Sequence, residues 1–300
     1  MNKIIKFYNQ NRYMIWIVGL VLVAIITIIQ VLDKFAFEKN LVKANNKNVI
    51  NNNSINKNYS VTNGQEVKDE ASQIIEQFID YCNAQELEKA YSVLSEECKE
   101  ILYPTLEEFE QKYYDNIFIE KKNYVYQAWT TSSQAYTYKV DFVEDMLATG
   151  TPSKTSISDY YTVVKKHNDY KLNINKFVGL KEINKEQTLN KITINVTKKR
   201  IFIDYEIYEM EIKNASNEHI NLDNLQTDET IYLEDTEGRK YYWCNNEILE
   251  DDILIRRGKN KNIEIKFNKE YQPKIETQKI VFSNIILNSN QKLQIDIVLQ

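Results

Sequence analysis

"FIDYCNAQELEKAYSVLSEECKEILYPTLEEFEQKYY", Phe78 to Tyr114, decides how this chain is read. It predicts the end of one amphipathic helix, a break, a second helix, and a third that opens behind Pro104. Upstream, Val67, Ala71, Ile74, Ile75, Phe78, Ile79 and Cys82 mark one face of a helix that Asn83 ends. Leu87, Ala90, Tyr91 and Leu94 repeat the pattern, and the short break makes the two helices spatial neighbours. Thr105 with Glu108 fits a capping box, and Leu106, Phe109 and Tyr113 give the third helix its buried stripe.

Beyond this helical stretch the period drops to two. "NYVYQAWT" (123–130) and "AYTYKVDFVEDMLATG" (135–150) read as strands with a turn at "SQ". "SDYYTVVKKHNDYKLNINKF" gives two more around "HND". Helices followed by a meander of strands imply an α+β unit with helices on a curved antiparallel sheet. After the polar stretch "KEINKEQTLNK" the chain reads as all-β, with about eight short strands and a hairpin turn at "DTEG" (235–238). Ile201, Ile203, Tyr205 and Ile207 share one phase while Tyr208, Met210 and Ile212 take the other, which predicts a β-bulge near Ile207–Tyr208.

The opening helix with Phe78 and Tyr81, "ELEKAYSVLSEECKE", and the closing "YKLNINKF" strand resemble the nuclear transport factor 2-like cone fold over Glu66 to Gly179. The later half, with "LIRRGKNKNIEIKF", resembles the immunoglobulin-like modules of exported bacterial proteins. Among anchored bacterial proteins the cone resemblance points to two groups. These are the channel-assembly subunits of type IV secretion and conjugation machines, and envelope proteins near the cell wall.

The N-terminus predicts the anchor. From Tyr13 to Leu32 no residue is charged. About 20 residues at about 1.5 Å each span roughly 30 Å, a bilayer core. Lys3, Lys6 and Arg12 precede the run, which places the N-terminus in the cytoplasm and the rest outside. A cleaved signal peptide would have a shorter apolar region and a small-residue site, which "VLDKFAFEKN" does not offer. The expected order is a cytoplasmic segment 1–12, a transmembrane signal anchor 13–32 and an Asn-rich linker 33–65. A cone domain 66–180 and a sandwich domain 181–300 follow. The linker's asparagine run, with little to bury, reads as a flexible tether.

Charge and cysteines narrow the function. Past residue 32 the chain carries 35 basic against 43 acidic residues, which disfavours a nucleic-acid partner. Cys82, Cys98 and Cys244 have no metal-motif spacing, and their odd number argues against a disulfide framework. Cys82 falls on the apolar face of its helix and reads as a buried free thiol. No nucleophile-elbow, zinc-helix, P-loop or dinucleotide motif occurs, and the only histidines, His167 and His219, fall in separate halves. No metal site or cofactor is expected.

One enzyme hypothesis follows from the resemblance, since cone-fold enzymes place acids and tyrosines in the cavity between sheet and helices. Glu144 shares parity with Tyr136, Tyr138, Val140 and Phe142 and is the general-base candidate, with Tyr81, Tyr126 and Tyr160 as cavity candidates. Against it stands a Glu144 at the sheet rim facing water. Lys198, Lys199 and Arg200, then Arg256, Arg257 and Lys259, read as turn clusters that either grip an anionic wall polymer or only solubilise the turns. Glu86, Glu88, Lys89 and Glu96 form the polar side of the helical hairpin, offered to a protein partner or a second copy. The leading expectation is a membrane-anchored, non-catalytic binding or assembly module, in its specific form a scaffold of a conjugation or secretion channel. The alternatives are an envelope protein that binds wall polymer or a small ligand, and a cone-fold enzyme using Glu144.

Overall fold

The architecture comes from a computed structural model, in which residues 70–131, 135–144, 157–166, 169–227, 229–246 and 248–300 are described. The helical part runs α1 (Glu70–Asn83), α2 (Leu87–Val93), α3 (Glu96–Leu102), α4 (Leu106–Phe109), a π turn (Glu110–Tyr114) and α5 (Asp115–Ile117). In α1 the residues Ala71, Ile75, Phe78, Ile79 and Cys82 are fully buried, as their spacing requires. Asn83 ends the helix by turning its side-chain amide onto the backbone of Lys122. Its Nδ2 donates to the carbonyl at 3.0 Å, and its Oδ1 accepts the N–H at 2.9 Å.

The stretch read as one second helix is two. Leu94 is extended and bridges Leu172 in parallel, and the Ser95 N–H donates to the Leu172 carbonyl at 2.9 Å. Ser95 then caps α3, its Oγ accepting the Cys98 N–H at 3.0 Å and donating to Asn173 Oδ1. Thr105 caps α4 as expected, accepting the Glu108 N–H at 3.1 Å.

The strands are β1 (Lys122–Thr131), β2 (Ala135–Glu144), β3 (Ile157–Lys166), β4 (Asp169–Asn173), β5 (Phe177–Leu189), β6 (Ile192–Phe202) and β7 (Glu206–Asn214). They continue as β8 (Ile220–Asn221), β9 (Ile231–Asp235), β10 (Lys240–Tyr242), β11 (Leu254–Ile255), β12 (Asn260–Phe267), β13 (Thr277–Leu287) and β14 (Lys292–Val298), with α6 (Glu250–Ile253) before β11. All strand pairs are antiparallel, in three sheets. The first sheet is β1-β2-β3-β4, the second β12-β7-β6-β5, and the third runs β10-β9-β13-β8-β11 with β14 beside β13.

Two apolar clusters hold the described residues together. One gathers the helices and the first sheet around Phe78, Phe109, Tyr113, Phe142 and Tyr161. The other lies between the second and third sheets around Tyr208, Trp243, Phe267 and Phe282. Strand β5 starts at the first cluster with Phe177 and runs out beside β6, whose Ile192, Ile194 and Val196 belong to the second.

These observations correct the expected fold class. The described chain is mostly β, in three antiparallel sheets, and its helices are short and interrupted at Leu94 and by the π turn. A cone of helices on a curved sheet followed by an immunoglobulin-like sandwich is not what this arrangement gives. The polar stretch "KEINKEQTLNK" is part of the 13-residue β5 and the turn after it, and its polarity is that of an exposed strand.

The expected membrane localisation is corrected too. No helix among the described residues is long and apolar enough to cross a membrane. The longest, α1, has 14 residues and carries polar side chains on one face. The segments 1–12, 13–32 and 33–65, on which that expectation rested, lie outside the described residues.

No bulge falls at Ile207–Tyr208. Both residues lie in β7, in unbroken register with β6 and β12, and they face opposite sides, Ile207 packed against the first cluster and Tyr208 in the second, while Ile203 to Tyr205 form the turn from β6. The register irregularity falls in β6 instead, between Val196 and Lys198.

Candidate functional site

The site grows from the polar face of α1. Gln73, Glu76, Gln77 and Asp80 fall at helical spacing opposite the buried stripe, and together they form one wall of an open groove of about 980 Å3. Ser92 and Val93 at the end of α2 and Asp169, Tyr170 and Lys171 of β4 form the rest, with Tyr81 at one end. Edge strand β4 reaches this position because Leu94 and Ser95 pair with Leu172. One break in the helical stretch therefore sets the groove's width.

Its electrostatics are acidic. Among the described lining residues, Glu76, Asp80 and Asp169 are the acids and Lys171 the cation, its Nζ donating to the Ser92 carbonyl at 2.9 Å, while Lys165 stands 5.7 Å from the Tyr170 ring centre. Tyr126 donates to Glu76 Oε1 at 3.0 Å from the core side, and Gln77 donates to the Tyr81 hydroxyl at 3.0 Å. Both contacts fix the groove wall. Lys89 stands 5.6 Å from the Tyr81 ring centre and pairs with Glu86 at 2.9 Å, a partner that holds its ammonium above the usual range.

The cavity candidates do not converge. Tyr81 lines the groove, Tyr126 is buried in the core, and Tyr160 sits edge-on to Trp129, ring centres 5.3 Å apart. Glu144 is the last residue of β2, opposite Lys122. Rings fill the space between helices and first sheet: Phe78 lies 5.7 Å from Tyr161 and 6.2 Å from Phe109, and Phe118 5.3 Å from Phe142. Among them Asp159 accepts the Tyr113 hydroxyl at 2.9 Å and the N–H groups of Tyr160, Asn175 and Lys176. Burial raises its carboxyl above the usual range against the pull of these donors. The bonds to Asn175 and Lys176 clamp the β4–β5 turn, whose two central residues have φ of 55° and 61°.

The basic candidates separate into two kinds. Lys198, Lys199 and Arg200 lie in β6, not in a turn, and each meets acid. Lys198 lies 3.3 Å from Glu182 and Lys199 3.5 Å from Glu206, while Arg200 lies 3.2 Å from Glu209 and also contacts Glu264. Lys199 is nearly buried, and burial lowers its ammonium below the usual range despite Glu206. Arg256, Arg257 and Lys259 are exposed around Gly258, in a turn as expected, with exposed Asp251 and Asp252 nearby. His219 accepts the Arg257 N–H at 3.0 Å, and His167 lies outside the described residues.

Of the partner-surface candidates, Glu86, Glu88 and Lys89 are exposed on or next to α2, Lys89 against the Tyr81 ring of the groove, and Glu96 on α3 pairs with Lys99 at 2.9 Å. Sequence reasoning missed Gln73, Glu76, Gln77 and Asp80, although their spacing was readable as the complement of the apolar stripe. Asp169 and Lys171 carried no such signal, because only the Leu94–Leu172 pairing brings them there. Among the described residues no group of three His, Cys, Asp or Glu side chains is placed to hold a metal ion.

No protein-family model matches the chain, and neither a curated protein nor a solved structure is significantly similar to it.

Proposed function

We propose that this chain is a non-catalytic binding module that takes a basic segment of a partner protein in the groove between α1, α2 and β4. The carrying observation is the lining, which among the described residues holds three carboxylates and one lysine that is already engaged, with the half-buried rings of Tyr81 and Tyr170, where Lys89 and Lys165 already show how a cation approaches them. Carboxylates recognise Lys and Arg, and exposed rings add cation–π attraction. The absence of a shared cavity for Tyr81, Tyr126 and Tyr160 supports a binding role over catalysis. The acid partners of Lys198, Lys199 and Arg200 weigh against an anionic wall polymer at that strand. The narrower reading as a channel scaffold depended on the anchor and the cone fold and forms no part of this proposal.

The test is binding of a peptide set with matched basic and acidic members, in low and high salt. Basic, aromatic-containing peptides should bind, weaken as salt rises, and lose at least about tenfold in affinity to the Glu76→Lys/Asp80→Lys double variant. Equal binding of acidic peptides, or binding unchanged in the double variant, would overturn the proposal.

A further inference from the structure

The two basic clusters differ in what surrounds them. Lys198, Lys199 and Arg200 each meet an acid within β6 and its neighbours. Arg256, Arg257 and Lys259 are exposed, and none of them forms an ion pair among the described residues. The acids before them, Glu250, Asp251 and Asp252, lie on α6 and soften the local field without pairing with the turn.

The turn that carries these cations, between β11 and β12, is built to hold its shape. Gly258 takes a φ of 68°, which glycine adopts without strain. Asn214, fully buried at the end of β7, holds the turn from beneath. Its carbonyl accepts the Gly258 N–H at 2.8 Å, and its own N–H donates to the Lys259 carbonyl at 3.0 Å. Its side-chain amide donates to the Ile255 carbonyl at 3.1 Å. His219 Nδ1 accepts the Arg257 N–H at 3.0 Å, and the Lys259 N–H closes onto the Arg256 carbonyl at 3.1 Å. Each of these bonds engages the turn through its backbone. The three cationic side chains therefore project from a fixed loop, and a loop already fixed loses little freedom on binding.

The groove of α1, α2 and β4 has the opposite character. Glu76, Asp80 and Asp169 line it with Lys171, whose ammonium is taken by the Ser92 carbonyl. Two arginines and a lysine on one turn match three carboxylates in number and in sign, and the guanidinium fork suits a carboxylate. None of the turn residues lines the groove of its own chain, so the match can be met only between chains.

We infer that the groove's partner is a second copy of this chain, whose Arg256–Lys259 turn enters the groove head to tail. Naming this partner rests on the groove's role as a binder of basic segments proposed above. Each chain then offers one turn and one groove, a heterologous contact that joins copies into rings or open chains. Salt gives the contact a signature. The chain carries a net charge of −5, so its copies repel at long range, and salt that only screened this repulsion would tighten association. Local pairing of the turn with the groove makes salt weaken it instead.

The experiment is fluorescence titration of labelled full-length chain with unlabelled full-length chain, in low and high salt. Two variants are used, Arg256→Glu/Arg257→Glu in the turn and Glu76→Lys/Asp80→Lys in the groove. Each variant titrated with itself should bind at least about tenfold more weakly than the parent does. Turn variant mixed with groove variant should recover binding, because one intact turn meets one intact groove. A chain carrying both changes should bind itself again, since the reversed turn faces a reversed groove. If the groove variant does not fold, Asp80→Lys/Asp169→Lys takes its place and leaves the Glu76–Tyr126 bond intact. A mixture that binds no better than either variant alone, or self-binding that tightens with salt, overturns the inference. A groove that takes basic peptide but no second copy overturns it too and leaves the groove's proposed role standing. A groove that takes neither removes both.

Discussion

Asp235 shows how a single side chain ties stability to pH. Burial pushes its carboxyl upward, but the Arg239 N–H and guanidinium, the Tyr241 hydroxyl and the Glu237 N–H outweigh that and hold it at about 2, against an ordinary 3.8. A depressed folded value means that its stabilisation is complete above pH 3.8 and is lost as pH falls toward 2. Asp159, raised by burial, works in the opposite sense, so the comparison with Asp235→Asn isolates the Asp235 contribution. Melting followed down the acid limb should show Asp235→Asn with a shallower decline over that window; parallel curves would contradict the assignment. In the core, Phe78→Ala should cost about 3–5 kcal/mol by urea denaturation, because Phe78 is fully buried against Phe109, Phe118 and Tyr161. The sequence made Phe78 and Cys82 legible, since apolar side chains at helical spacing have one place to go. It hid Asp159, because a buried acid reads as solvated until its donors, drawn from distant turns and strands, are in place.

Elements were legible where one periodicity ran unbroken. The hairpins β1–β2, β3–β4 and β9–β10 fall where alternation predicted them. The second helix was misread because Leu94 continues the apolar spacing while its backbone is already extended. The signal that separates the two readings is Ser95 ahead of Glu96 and Glu97, an N-cap with acid in the first turn. Ser95→Ala should cost about 1–2 kcal/mol, since it removes the cap and strands Asn173 Oδ1, and should widen the groove. Chemical denaturation reads the first effect, and loss of peptide affinity the second. The change of phase at Ile207–Tyr208 reads as a bulge because β7 is apolar on both faces there, Ile207 packing against the first cluster and Tyr208 lying in the second. Between β5 and β6 the turn places Asn190 and Lys191 at φ of 52° and 65°, which lysine adopts under strain. Lys191→Gly should therefore raise stability by up to about 1 kcal/mol, and a lower Tm would show that the left-handed turn is not strained.

At the scale of the whole molecule, Glu206 joins the second and third sheets. It begins β7 and gathers Lys199 from β6, Lys269 beyond β12 and Thr277 from β13. The two lysines outweigh its own burial and hold its carboxyl below the usual range. Glu206→Gln leaves two nearly buried ammonium groups without their counter-charge. It should cost about 3–5 kcal/mol in denaturant, and a loss near zero would mean that the lysines find other partners. This buried ionic junction and the aromatic core make a rigid frame, and the groove of α1, α2 and β4 is the part of that frame left open and charged. The most direct test of its role is amide hydrogen exchange on the full-length chain with and without a bound basic peptide. Protection at residues 73–81, 92–93 and 169–171, lost in Glu76→Lys/Asp80→Lys, is the predicted footprint. Protection confined to the Arg256–Lys259 turn, or none with peptide bound, would contradict the assignment of the groove as the binding site.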